Sequence, residues 1–430
     1  MRRPLAAFSF PFPNTGKKNS IFMDWKFSKF KPGQPRRWEF LLPPGSAKKT
    51  ESVLESIVSN PFLPRTHEPT WTVYPEKFVL EKANFRQALE ILARIPWIRD
   101  FRLNLGKYRF DKHFSFAGLM ESLHTTGLLP KEWEIRFHPQ VRGRTEVSRE
   151  DLQELWEESY ESGTYSEEQK FTECNALCIG EDIVISLSLG GDPLFKRGNF
   201  KALGKSAPVR EDSASFLLYL LREKMENPDA IFVPFAGSGT FVWEAISMIA
   251  GIGFPHLERK YMFREWNDFP EPTWEFLKKR MGEKGENRSL RVWWNEIEAD
   301  IFSYLEERSG EYQKFIKHAS PNFKLSVTGE EGDFFSFSPK EIWDSMGKPE
   351  RIWMPLNPPY GMRVQKGSHA GLYRRLAEAV KEFWALSAEV SGFVLCPDEE
   401  SWSAFLKGLG TKSETVHITH GGIDLRAVYF

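Results

Sequence analysis

AIFVPFAGSGT, residues 230–240, determines the fold of the second half of the chain. Its first four residues are apolar and predict a short buried strand, which a glycine turn joins to a helix over 240–248. Such a loop points backbone N–H groups and a helix N-terminus at a ligand. The predicted binding residues of this loop are Pro234, Phe235, Ala236, Gly237, Ser238, Gly239 and Thr240.

The glycine pattern also narrows the kind of ligand. The loop lacks the Gly-Lys-Ser/Thr ending of a phosphate-binding P-loop, and it has one glycine fewer than the dinucleotide fingerprint. We therefore expect neither ATP nor NAD. A ligand without a phosphate, bound through amino-acid and ribose groups, suits the loop better.

On the carboxyl side of this loop, strands alternate with helices. Strands are predicted at 290–297, 324–328, 352–356 and 391–395, helices at 300–308, 371–386 and 400–406, and a closing hairpin at 415–419 and 424–429. Strands that alternate with helices pair in parallel through right-handed crossovers. The pattern predicts an α/β fold with a Rossmann-like, doubly wound sheet.

Between about residues 50 and 190 the pattern is mixed. Strands are predicted around 71–79, 99–105 and 182–187, and helices around 53–58, 84–95, 115–125 and 148–161. Interleaved short elements of this kind are typical of small α+β units. We therefore expect a basic N-terminal extension at 1–50, an α+β region at 51–190 and an α/β domain at 191–430.

Charge is distributed unevenly along the chain. Residues 1–50 carry eleven Lys and Arg against two acidic residues, a net charge of +9, whereas the whole protein has a net charge of -1. This segment is rich in Pro and Gly without a sustained period, so regular structure is expected to begin near Thr50. The segment is either an arm that contacts phosphates or a solvated tail.

Several classes of protein are disfavoured. Three cysteines are too few for a disulfide framework or a four-cysteine zinc site, and the nine histidines contain no His-x-x-x-His pair. No apolar run approaches the roughly 18 residues that a membrane span needs. We expect a cytoplasmic protein, a monomer that binds neither metal nor membrane.

The sequence Asn357-Pro358-Pro359-Tyr360-Gly361 directly follows the apolar strand at 352–356. Ligands bind beyond the carboxyl ends of strands in such sheets. An exocyclic amine of adenine or guanine is a poor nucleophile, because its lone pair is delocalised into the ring. The Asn357 amide oxygen and the Pro358 carbonyl can each accept one of its N–H groups and so orient the lone pair.

The next two residues of this motif suit a base taken out of its stack. Tyr360 offers an aromatic face to such a base, and Pro359 has no N–H that would compete for the Pro358 carbonyl. Asn357, Pro358, Pro359 and Tyr360 are thus the predicted catalytic residues. The alternative is an ordinary turn at a strand end, which Asn and Pro also favour.

Two acidic residues stand where an adenosine-containing ligand needs them. Glu296 closes the strand after the glycine loop and can accept from ribose hydroxyls. Asp333 follows the third strand and can accept from an adenine amino group, while Phe334 stacks on the ring. Either acid alone is more typical of a solvated loop residue, but the two acids in this order favour the ligand-binding interpretation.

Beyond these motifs, the chain resembles RNA guanine-N2 methyltransferases that carry a THUMP domain. The similarity covers about residues 185–430 and rests on five further segments besides the glycine loop and the Asn-Pro-Pro-Tyr motif. They are Asp192–Phe200, Ala207–Glu211, Phe263–Trp266, Leu372–Leu376 and His420–Ile423. The chain departs from the usual family pattern at Val233, Ala236 and Glu296.

The resemblance implies S-adenosylmethionine as the cofactor, with Glu244 among its binding residues. It also implies a ferredoxin-like plus THUMP region that binds RNA, a guanine of large-subunit ribosomal RNA as the target, and tRNA as another possible substrate. Arg142, Arg144 and Arg363 are the predicted RNA-binding residues. Two other hypotheses stay open: an adenine-N6 methyltransferase acting on DNA or RNA, and a non-catalytic RNA-binding or ribosome-assembly protein.

Overall fold

The computed structural model describes residues 25–58, 69–111, 113–143, 145, 147–160, 170–197, 209–252, 261–282, 287–359, 369–386, 389–420 and 422–430. Within these residues the chain forms two seven-stranded sheets. The first sheet uses strands from Arg36 to Ser188, and the second uses strands from Ala230 to Tyr429.

The first sheet is mostly antiparallel, with the strand order β2-β3-β1-β4-β7-β6-β5. Its only parallel pair in the described residues is β5 with β6. Its elements are β1 (Arg36–Leu41), α1 (Ala47–Val58), β2 (Thr70–Tyr74), β3 (Lys77–Ala83), α2 (Phe85–Arg94), β4 (Asp100–Arg109), α3 (Leu119–Thr125), β5 (Trp133–Arg142), α4 (Arg149–Ser159), β6 (Lys170–Ile179) and β7 (Asp182–Ser188).

The prediction that regular structure begins near Thr50 is wrong. Strand β1 lies within the predicted basic extension and pairs with both β3 and β4. Its alternate residues Trp38 and Phe40 are fully buried, and on the other face the Glu39 carboxylate accepts hydrogen bonds from Lys77 and Asn104. Burial of two large aromatic rings outweighs the local charge of this segment.

The second sheet has the order β10-β9-β8-β11-β12-β14-β13. Strands β8 to β12 are parallel, and β14 is antiparallel to both of its neighbours. Its elements are α5 (Glu211–Lys224), β8 (Ala230–Val233), α6 (Thr240–Ala250), α7 (Glu271–Gly282), β9 (Ser289–Glu296), α8 (Ala299–Ala319), β10 (Lys324–Glu331), α9 (Pro339–Ser345), β11 (Arg351–Leu356), α10 (His369–Ala385), β12 (Glu389–Cys396), α11 (Glu399–Leu409), β13 (Glu414–His420) and β14 (Ile423–Tyr429).

The predicted parallel sheet and its closing hairpin are therefore confirmed. The strand order reverses between β8 and β11, because the chain runs outward from β8 through β9 to β10 and then returns to β11 on the other side. A crevice forms at such a switch point, beyond the carboxyl ends of the strands. The glycine loop after β8 and the Asn-Pro-Pro sequence after β11 both open onto it.

The two sheets share a continuous hydrophobic core. A 3-10 turn at Met262–Glu265 docks on the first half of the molecule, because the Glu265 carboxylate accepts from Trp133 Nε1 at 2.8 Å and from Lys170 Nζ at 2.9 Å. Trp266 Nε1 donates to the Leu128 carbonyl at 3.0 Å. The Phe263–Trp266 segment noted in the sequence thus joins the two halves.

Candidate active site

The glycine loop is held by backbone hydrogen bonds at both ends. Ala236 N donates to Asn295 O, and Gly239 N donates to Ala236 O, each at 2.8 Å. Gly237 and Gly239 have φ values of +55° and +77°, which favour glycine. Phe235 also has a positive φ, +61°, and a non-glycine residue in this region is a strained backbone feature of the kind that clusters at functional sites.

The two glycines meet different requirements. A Cβ atom on Gly239 would lie 2.5 Å from Trp243 Nε1 and 2.8 Å from Leu305, so packing against α6 and α8 excludes any side chain there. A Cβ atom on Gly237 would meet no atom within 4 Å. The backbone at Gly237 therefore faces open space, as a ligand-binding turn requires.

The Glu296 carboxylate caps this turn. Its Oε2 accepts from Gly237 N at 2.9 Å, and its Oε1 accepts from Ile297 N at 2.9 Å and Glu298 N at 3.0 Å. The residue is only 7% exposed. A carboxylate has about four acceptor positions, so roughly one remains for a ribose hydroxyl. Glu296 holds the turn in place and has a smaller capacity for ribose than the sequence predicts.

The neighbouring Asn295 fixes the next strand end, a role that sequence reasoning missed. Its side-chain Nδ2 donates to Glu330 O and to Gly332 O, both at 2.9 Å, and the residue is almost fully buried. These bonds tie the loop after β10 to the end of β9. Asn295 thereby positions Asp333, which directly follows Gly332 in the chain.

Asp333 and Phe334 occupy different environments. Asp333 is exposed, and its Oδ1 accepts from Phe335 N at 3.0 Å, leaving the rest of the carboxylate open to a ligand. Phe334 is buried and packs against Phe232 and Phe235. Phe334 therefore belongs to the core beneath the site rather than to its surface, which corrects its predicted stacking role.

An exposed apolar residue that the sequence did not single out lies beside Glu296. Ile297 is 64% exposed although it is large and apolar. It directly follows the residue that caps the glycine turn, on the rim of the same crevice. In the sequence, Ile297 could have been found only from its place directly after Glu296. An apolar side chain there can pack against a ring bound in the crevice.

Asn357 leaves β11 at the carboxyl edge of the sheet. Its amide Oδ1 is buried and has no hydrogen-bond partner among the residues that the structure describes. Buried polar atoms are nearly always paired, so an unpaired acceptor calls for a physical explanation. Pro358 is buried and Pro359 is exposed. Tyr360, Gly361 and Arg363 lie outside the described residues.

The carboxylate of Glu244 is not free for a ligand, which corrects its predicted role. The residue is 4% exposed, and its Oε2 accepts from Arg197 Nη1 and Ser215 Oγ. Burial raises the pKa of this carboxyl, while Arg197 and Ser215 oppose that shift. Glu244 therefore acts inside the protein, one helical turn behind the glycine loop.

Of the three predicted RNA-binding residues, the structure describes only Arg142, which lies in the first sheet and not at this crevice. Arg142 ends β5 in the first sheet, and its exposed guanidinium lies 3.9 Å from the Glu76 carboxylate. Arg144 lies outside the described residues. The nearby Arg136 is stacked on the Phe171 ring, 4.2 Å from its centroid. The structure thus brings the glycine loop, Glu296, Asp333 and Asn357 to one edge of the sheet, whereas Arg142 lies elsewhere.

Two further properties bear on the class of site. No cluster of three or more His, Cys, Asp and Glu side chains suited to a metal ion occurs in the part of the chain that the structure describes. In the same residues, no helix combines the length and the apolar character needed to cross a bilayer.

Curated relatives of this chain are ribosomal RNA methyltransferases. It is 36% identical over 100 residues to "Ribosomal RNA large subunit methyltransferase K/L" of Acinetobacter baumannii, a match to 23% of this chain and 13% of that protein. It is 26% identical over 339 residues to the protein of the same name from Psychromonas ingrahamii, a match to 73% of this chain and 38% of that protein. The chain thus spans well under half the length of these relatives.

Solved structures show the same fold. SMU.472, solved as a complex with SAH, superposes with a TM-score of 0.63 at 17% identity, over 92% of this chain and 98% of that one. A search against models of protein families finds no match. The superposition extends over both sheets, so the pair of sheets is a shared architecture.

Proposed function

We propose that this chain is an S-adenosylmethionine-dependent methyltransferase that methylates the N2 amine of a guanine in RNA. The observation that carries the proposal is the Oδ1 of Asn357 at the switch point of the sheet, which is buried and has no partner within the described part of the chain. A buried acceptor without a donor among those residues suits a donor that arrives with the substrate. An exocyclic amine is such a donor.

Asn357 and Pro358 orient the base. The Asn357 Oδ1 accepts one N–H of the amine, and the Pro358 carbonyl accepts the other, which turns the nitrogen lone pair toward the crevice. Holding two reactants in attack geometry can replace roughly 7–11 kcal/mol of a barrier. No strong base is required, because the amine proton becomes acidic once the nitrogen is methylated.

The residues around the glycine turn fit the proposed cofactor. Open space at Gly237 admits its amino-acid part, the remaining acceptor position of Glu296 suits a ribose hydroxyl, and exposed Asp333 suits an adenine amine. The exposed apolar side chain of Ile297 suits the apolar faces of the adenosine. Bound there, S-adenosylmethionine would supply an electrophilic methyl carbon.

RNA as the substrate is supported by the relatives, whose names describe ribosomal RNA methyltransferases. We propose that the first sheet and its helices form a ferredoxin-like plus THUMP region that binds this RNA, and that the protein acts as a cytoplasmic monomer. The Asn-Pro-Pro sequence is equally suited to the amine of guanine and that of adenine. The methylated nucleoside that the reaction yields distinguishes the two bases.

The test combines binding with product analysis. Calorimetric titration with S-adenosylhomocysteine should show one site, whereas no heat at millimolar ligand would favour a non-catalytic RNA-binding protein. The protein is then incubated with S-adenosylmethionine and unmodified large-subunit ribosomal RNA, tRNA or DNA, and the nucleosides are analysed by mass spectrometry. N2-methylguanosine from ribosomal RNA is expected. Formation of N6-methyladenosine instead would show that the target base is adenine and not guanine.

A further inference from the structure

Arg197 makes the most extensively connected buried ion pair in the described residues. Its side chain is 1% exposed and lies against the Glu244 carboxylate. Nη1 also donates to Ser215 Oγ at 2.8 Å, Nε donates to Leu194 O at 3.3 Å, and Nη2 donates to the carbonyl of Pro96. One guanidinium therefore saturates most of its donors without water.

These bonds join three parts of the molecule. Pro96 lies between α2 and β4 of the first half, Ser215 lies on α5, and Glu244 lies on α6. Isolated buried ion pairs are poor sources of stability, because desolvation offsets their attraction, but they can fix one arrangement of the parts that they join. The planar fork of Arg suits this role, since it reaches several acceptors in fixed directions.

The α6 end of this network is continuous with the glycine turn. Glu244 is four residues after Thr240, about 6 Å along the helix. Trp243 N donates to Gly239 O at 3.0 Å, and the Trp243 ring packs on Gly239 so closely that a Cβ atom does not fit. A shift of the first turn of α6 must therefore move the Gly237 backbone.

We infer that Arg197 is a positioning residue for the cofactor site: through Glu244 it sets the place of the glycine turn relative to the first half of the protein. The inference rests on the proposed function and adds to it a physical connection between the proposed RNA-binding region and the cofactor loop. Arg197 contacts no substrate itself. It acts through α6.

The test is the affinity for S-adenosylhomocysteine, measured by calorimetry, together with the melting temperature. Arg197→Lys keeps the charge but loses the planar fork, so it cannot reach Pro96, Ser215 and Glu244 together. We expect its dissociation constant to rise about tenfold or more, since small misplacements at a site carry large penalties. Should this variant fail to fold, Arg197→Met with Glu244→Met removes both charges and keeps the test open.

The matched control is Arg99→Lys. Arg99 also joins the first half to α5, through Asp212 at 2.7 Å, but within the described residues it makes no hydrogen bond to α6. Its melting temperature should fall while its affinity for S-adenosylhomocysteine stays that of the wild type. Wild-type affinity in the Arg197 variants, or an equal loss in both Arg197→Lys and Arg99→Lys, would overturn the inference alone. Absence of binding by the wild type would overturn the proposed function, and the inference with it.

Discussion

Substitution of Asn357 by Ala separates the chemistry of the site from the stability of the fold. In the proposed mechanism the Asn357 Oδ1 is one of only two acceptors that orient the amine. Removal of one preorganised hydrogen-bonding group from an active site typically lowers the rate by about 10²–10³-fold. We expect a loss of methyl transfer of at least this size, with unchanged affinity for S-adenosylhomocysteine, because Glu296 and the glycine turn remain intact.

The structure also predicts what happens to stability. An unpaired buried polar atom costs about 1–3 kcal/mol, and the buried Asn357 Oδ1 has no partner among the residues whose structure is described. Its removal relieves this cost, while the lost packing of the amide acts in the opposite direction. The two contributions are similar in size. The free energy of unfolding of Asn357→Ala should therefore lie within about 1 kcal/mol of the wild type in urea denaturation.

Asn227 supplies a matched control. Its Oδ1 is likewise buried and without a partner in the described part of the chain, but it lies before β8, at the amino end of the sheet. Asn227→Ala should change stability by a similar amount and leave transfer at the wild-type level. Transfer by Asn357→Ala within about threefold of the wild type, or an equal loss in Asn227→Ala, would refute the proposed role.

Three further predictions concern the residues around the site. Glu296→Gln replaces one carboxylate oxygen by an amide NH₂, which cannot accept from the Gly237 N–H or from the Ile297 and Glu298 N–H groups. Because the glycine turn then loses part of its support, calorimetry should show that the affinity for S-adenosylhomocysteine falls about tenfold or more. Gly239→Ala should lower the melting temperature, because its Cβ would overlap Trp243, whereas Gly237→Ala adds no overlap within the protein. Burial raises the pKa of Glu211 to about 7, so the stabilisation from its neutral form is present at pH 4 and is lost as the pH rises toward 7. Glu211→Gln should accordingly melt above the wild type at pH 8 and close to it at pH 4, as measured by scanning fluorimetry.

The second sheet could be predicted from the sequence because its signals are local. Its central parallel strands β8, β11 and β12 are short apolar runs, and every predicted strand from 230 to 429 is present within a few residues. Chain order then brings the carboxyl ends together, which places Glu296, Asp333 and Asn357 on one edge. The site follows from topology as much as from motifs.

The first sheet was harder to predict, although part of its signal was present. In strand β5, Trp133 and Ile135 are buried, whereas Arg136 and Arg142 on the opposite face are exposed. That alternation is typical of a half-buried strand, whereas the prediction for this segment concerned only Arg142 and Arg144 as RNA-binding residues. Strand β1 carried a weaker signal, because its burial depends on partners more than 35 residues away.

The roles of Glu244 and Phe334 depended on tertiary contacts that no local pattern contains. The partner of Glu244 is 47 residues earlier in the chain, on a segment joining the two halves of the protein. Phe334 is buried because Phe232 and Phe235 enclose it from another strand and its loop. In each case the direction of the side chain is set by packing and not by the local sequence.

Several basic residues of the first sheet have acidic neighbours, so their number alone does not indicate a surface that binds RNA. In the first sheet, Lys77 pairs with Glu39, Arg102 with Asp100 and Arg142 with Glu76, and His138 lies beside Glu173. Because each of these basic residues has an acidic neighbour, this part of the sheet presents less positive potential than its sequence suggests. A phosphate that binds there has to compete with those carboxylates. In the proposed function, RNA recognition therefore rests on shape and base contacts, or on basic residues outside these pairs, more than on the summed charge of the sheet.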